Sequence, residues 1–138
     1  MDKNKTLIRN GFEQWSKGTG SFFDLLADDV VWTISGKSPI AKTYTSREQF
    51  LREAIDPLNR KLSKRIVPEL KMLYAEKDMV IALWDGKATG TDGSVYNNTY
   101  AWFMKVKDGR IVNVLAFFDS ITLAELWERI PDPGIQPE

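Results

Sequence analysis

The sequence predicts an α+β fold in which a long, curved antiparallel (mixed) sheet and the helices ahead of it form a cone around an apolar pocket. A change of period carries this reading. Before about residue 60, apolar side chains recur at helical spacing; from residue 64 they alternate, in four segments over 64–76, 79–90, 94–107 and 110–119. Each segment is longer than the roughly five or six residues of an ordinary strand, so the far ends of the sheet extend past the helices and leave a mouth.

Leu7, Ile8, Phe12 and Trp15 lie on one face of a helix over 3–17, and Gly18 supplies a left-handed stop. Ser21 caps a second short helix that reaches Asp28 and Asp29. Val30, Val31, Trp32, Thr33 and Ile34 are β-branched or aromatic and read as a strand. Ser46 with Gln49 three residues later forms a capping box, and Phe50, Leu51 and Ile55 give that third helix its apolar stripe. Lys77 with Asp78, Asp92 with Gly93, and Asp108 with Gly109 supply turn chemistry between the four long segments, which therefore form a meander. Ser120 or Thr122 caps a last helix through Trp127. Residues 1–130 read as a single domain and 131–138, PDPGIQPE, as an extended tail.

Composition narrows the chemistry. Lysine plus arginine (19) equals aspartate plus glutamate (19), so no net field draws in nucleic acid or an anionic membrane. The chain has neither cysteine nor histidine, which removes disulfides, thiolate metal sites and imidazole bases. Acid or base work near neutral pH is left to carboxylates, lysines or tyrosines, with no metal or nucleotide cofactor implied. No stretch approaches the roughly 18 apolar residues of a membrane span, and the chain reads as cytoplasmic.

The strings LLADDVVW, SREQF, YNNTYAWFMKVKDGRI and LAFFDS, in that order, resemble the nuclear transport factor 2-like superfamily, in its SnoaL-like polyketide cyclase and ketosteroid isomerase-related branch. The resemblance implies a cystatin-like α+β barrel, a small hydrophobic ligand or substrate, and a homodimer paired through the outer sheet face. It does not imply one reaction. Where the isomerases carry a tyrosine and two acids, this chain has Phe12 or Trp15, Ile34 and Thr99, so steroid isomerisation by that route is rejected. Asp85 and Asp119 match the two aspartates of limonene epoxide hydrolases, but Leu83 stands where their arginine would be and Trp32 where their tyrosine would be. Asp119 also matches the acid of SnoaL-like cyclases, whose histidine partner is missing.

The candidate catalytic pair is therefore Asp119 with Asp85 as helper, one proton shared between them after burial raises their pKa values. The expected pocket wall comprises Phe12, Trp15, Trp32, Leu83, Asn97, Thr99, Ala101 and Phe117. Spacing leaves the last hairpin open. A two-residue turn at Asp108 and Gly109 puts Asp119 on the face opposite Thr99, and a three-residue turn with a G1 bulge puts it on the same face. The resemblance favours the second. Tyr96, Tyr100, Trp102 and Met104 then fall on the outer, pairing face. Plainer readings stand beside these: Asp119 as a helix cap, Asp85 in a solvent-facing bulge, the tryptophans as core. A noncatalytic ligand-binding or interaction module is the alternative function.

Overall fold

The computed structural model describes residues 2–131; beyond Pro131, the expected tail lies outside them. Helix α1 (Lys3–Lys17) is capped by the Asp2 carboxylate, which accepts from the N–H groups of Asn4 and Lys5, and closes at Gly18, whose φ of 73° suits a residue without Cβ. The second expected helix is a single 3-10 turn, Phe22–Leu25. β1 (Leu26–Ile34) starts before the expected Val30 because Leu26 already pairs with Ile111, far along the chain. After the short β2 (Thr43–Tyr44), α2 (Arg47–Phe50) is capped by Ser46, while the Gln49 side chain reaches back to the N–H of Thr45 at 2.9 Å. A π turn over Leu51–Ile55 leads into α3 (Asp56–Arg60). Pro57, in the first turn of α3, has no N–H to return to Glu53, and the helix widens just ahead of it.

The long strands are β3 (Leu62–Glu76), β4 (Met79–Gly90), β5 (Val95–Lys107) and β6 (Arg110–Phe118), followed by α4 (Ser120–Arg129). The six-stranded sheet runs β2-β1-β6-β5-β4-β3, with β1 parallel to β6 and every other neighbour antiparallel. Register shifts along β3, at Leu62/Lys64, Lys64/Val67 and Leu70/Met72, mark bulges in the strand that α1 packs against.

The concave face holds the core: Val80, Ala82, Trp84 and Ala88 from β4, Tyr96, Tyr100, Trp102 and Met104 from β5, Val114 and Ala116 from β6. The expected outer pairing face of Tyr96, Tyr100, Trp102 and Met104 is thus corrected to an inner one. Facing these large side chains outward would strip four of the biggest apolar groups of cover, whereas their alternates Asn97, Thr99, Ala101 and Phe103 lose less by meeting water. The last hairpin turns on two residues: Lys107 pairs with Arg110 across Asp108 (φ 51°) and Gly109 (φ 77°), both left-handed as a type I′ turn requires. The expected three-residue turn is absent. A bulge between Lys105 and Val106 makes the same shift two residues earlier, so Phe117 still pairs with Ala101. Among the described residues, no helix is long and apolar enough to cross a membrane.

Candidate functional site

Between the concave face, the end of α1 and the α2–α3 segment lies a cavity of about 780 Å³. Its wall is aromatic because alternate residues of β4 and β5 converge there. Trp84 and Tyr100 stack in parallel at 4.1 Å; Trp102 meets Trp84 edge-on at 4.8 Å, and Trp15 from α1 meets Trp84 edge-on at 5.0 Å. Leu51 and Ile55 of the π turn face this wall across the cavity, and Asp56, Asn59 and Ser63 add polar groups. Arg65 fastens the rim. Its guanidinium donates to the carbonyls of Trp15 (2.9 Å) and Ser16 (3.1 Å), placing a cation on the C-terminus of α1 and holding Trp15 over the sheet.

Of the expected pocket residues, Trp15 lines this cavity. Phe12 and Trp32 are buried behind it, Trp32 stacked on Phe50 at 4.3 Å. Leu83, Asn97, Thr99, Ala101 and Phe117 are corrected to the convex side, since each alternates with a buried concave residue. Asp85, Asn97, Thr99 and Asp119 do come together, in a separate polar cleft of about 360 Å³. There the Thr99 hydroxyl donates to Asp85 Oδ1 at 2.8 Å, and Lys71 Nζ lies 3.9 Å from Asp85 Oδ2.

Asp119 is the N-cap of α4, the position expected of Ser120 or Thr122. Its carboxylate accepts from the N–H groups of Thr122 (3.2 Å) and Ile121 (3.0 Å). Bonds from Thr122, backbone and hydroxyl, with that from Ile121, hold the carboxyl below the usual carboxylate range, so the raised value expected of it is corrected: it meets amide donors in water instead of an apolar wall. This contribution to stability is present above the ordinary aspartate value and is lost as pH falls through the lowered one. Asp119→Ala is expected to lower the melting temperature by a few degrees, whereas Asp119→Asn, also a good cap, leaves it nearly unchanged in thermal denaturation.

The polar groups that composition did not reveal form a ladder on the inner face of β5. Tyr96 and Tyr100 share a hydroxyl–hydroxyl bond of 2.8 Å, and Asn98 Nδ2 donates to Tyr96 Oη at 3.1 Å. Spacing i, i+2, i+4 was their signal, and it was legible once the face was assigned. Burial pushes the Tyr96 phenol up and the Tyr100 phenol well above its ordinary value; it also raises Tyr44, with help from Glu53, to about 12. Because all three are raised, the unfolded chain ionises first. Stability is full below about pH 10 and falls as pH rises through the folded values. At pH 11 the folded protein should show less phenolate absorbance than the urea-unfolded chain, and a lower denaturation midpoint than at pH 8.

The SnoaL-like domain family model matches residues 8–114. The chain belongs to the SnoaL-like domain family. This SnoaL-like domain is similar in structure to an NTF2-like protein from Burkholderia thailandensis (TM-score 0.75, 20% identity, covering 91% of this chain and 98% of that one). It is also similar to TerC co-crystallized with polyporic acid (0.72, 16%, 92% and 99%). A further similar structure is wild-type IdmH, a candidate polyketide cyclase from Streptomyces antibioticus (0.69, 18%, 92% and 99%). At these identities the likeness is one of fold. No curated protein matches the chain.

Proposed function

We propose that this SnoaL-like domain takes a small, flat hydrophobic molecule into the aromatic cavity. The observation that carries the proposal is the wall of Trp15, Trp84, Tyr100 and Trp102, whose rings turn toward one hollow large enough for a molecule of two or three fused rings. Fold neighbours such as IdmH support the general kind, a pocket protein for organic molecules, without selecting a reaction. The carboxylate chemistry expected of Asp119 and Asp85 is not supported at this cavity, since both acids line the other cleft. Asp56, an exposed residue, is the acid of that cavity's lining among the described residues.

Titration with 2-acetylnaphthalene, read by tryptophan fluorescence, tests the proposal. Saturable quenching that survives Asp119→Asn is expected; no binding, or binding abolished by that substitution, contradicts it.

A second reading, a homodimer, is favoured by the convex face, where Tyr74 is 60% and Phe117 43% exposed and Met72 and Leu115 are also uncovered. We propose that a second copy covers this face. Wild type should sediment as a dimer at micromolar concentration and Phe117→Asp as a monomer; a monomeric wild type overturns the pairing.

A further inference from the structure

The hydrogen-bond ladder on β5 has one more hydrogen than it has acceptors. Asn98 Oδ1 accepts from the backbone N–H groups of Thr99 (2.8 Å) and Asp119 (3.0 Å), which fixes the orientation of its amide. Its Nδ2 therefore donates, once to the carbonyl of Asp119 (3.0 Å) and once to Tyr96 Oη (3.1 Å), and both its hydrogens are used. Tyr96 and Tyr100 own two hydroxyl hydrogens but share a single bond of 2.8 Å. Whichever hydroxyl donates, one hydrogen is left without an acceptor among the described residues. Tyr100 lines the cavity, while Tyr96 and Asn98 do not, so the outlet of the ladder is at Tyr100.

A second donor stands beside it. Trp84, stacked on Tyr100, is 1% exposed, lines the same cavity, and has an Nε1–H with no partner among the described residues. An unpartnered indole N–H beside a tyrosine pair with a spare hydroxyl hydrogen is costly on a buried wall unless something supplies an acceptor. Tyr100 is 6% exposed, and burial keeps both phenols neutral, hence able to donate, across the physiological range.

We infer that Tyr100 donates a hydrogen bond to an acceptor oxygen of the bound molecule, so that the cavity selects flat aromatic molecules bearing a ketone or quinone oxygen over hydrocarbons of the same shape. This rests on the cavity reading above and adds a specificity determinant to it. Neither Tyr96 nor Tyr100 occupies a position matched to the tyrosine or acids of the isomerases, which fall at Phe12 or Trp15, Ile34 and Thr99. Tyr96 is a positioning residue: the Asn98 amide donates to its hydroxyl, and in the arrangement inferred that hydroxyl donates in turn to Tyr100 Oη, which leaves the Tyr100 hydrogen for the ligand.

The test uses a matched pair, 2-acetylnaphthalene and 2-ethylnaphthalene, which differ by one carbonyl. Tyr100→Phe is expected to weaken the ketone about tenfold and to leave the hydrocarbon within about twofold of its wild-type value, since an interaction to one buried donor is lost. Binding of the hydrocarbon also reports that the variant is folded. In the wild type alone, the carbonyl stretch of the bound ketone should lie below its frequency in cyclohexane and move back up in the variant. Equal changes for both ligands, no change for either, or an unshifted carbonyl stretch overturns the inference while leaving the cavity reading intact. If neither ligand binds the wild type, the cavity reading fails and this inference fails with it.

Discussion

Trp84→Ala should destabilise the protein by about 3–5 kcal/mol, the usual cost of deleting a buried tryptophan, against a total stability of about 5–15 kcal/mol for a domain. The indole is 1% exposed and is in ring contact with Phe12 (5.6 Å), Trp15 (5.0 Å), Tyr100 (4.1 Å) and Trp102 (4.8 Å), so its removal leaves α1 and β5 facing a void that neither can collapse to fill. Its neighbour Leu83 points to the convex side and is half-buried, so Leu83→Ala should cost about 1 kcal/mol. Urea denaturation of the two variants measures both. A larger loss for Leu83→Ala than for Trp84→Ala would show that the faces of β4 have been exchanged.

Ile55→Trp should weaken binding of 2-acetylnaphthalene at least about tenfold, or about 1.4 kcal/mol, by filling the hollow from the side opposite Trp84. Ile55 is half-buried in the π turn and lines the cavity, so an added indole has open space to enter. Its stability cost should stay within the roughly 1–3 kcal/mol of moderate overpacking. Fluorescence titration with the melting curve of the same variant separates blocked binding from lost folding. Undiminished affinity in a folded Ile55→Trp protein would remove the cavity as the binding site.

Much of the fold was legible in the sequence for local reasons. Gly18 ends α1, Ser46 caps α2, and the strand limits at Met79–Gly90 and Val95–Lys107 follow turn residues that only certain backbone conformations tolerate. Asp119, Ser120 and Thr122 are all competent caps for α4, and the plainer reading of Asp119 as the cap is the one the structure shows, since its pairing with Asn98, distant in sequence, selects among them.

The site was legible only in part. Alternation tells that Asp85, Thr99, Ala101 and Phe117 share a face, and they do, but period alone does not say which face is inside. The likeness of Asp85 and Asp119 to acids in related enzymes argued one way. The bulk of Trp84, Tyr96, Tyr100, Trp102 and Met104 argued the other, and burial of that larger apolar area is what the chain follows. Asp85 and Lys87 on the alternate positions of β4 were the matching signal for a wet outer face, since unpaired charges rarely enter a core. The register of the last hairpin depends on a bulge at Lys105/Val106 that leaves no mark in composition.

A crystal of the protein soaked with 2-acetylnaphthalene tests the placement of the ligand most directly. The naphthalene rings should lie in the cavity against the wall that Trp15, Trp84 and Trp102 form, with the ketone oxygen within hydrogen-bonding distance of Tyr100 Oη. Ligand density in the cleft of Asp85 and Asp119 instead, or a cavity without ligand density at saturating ketone, would contradict it.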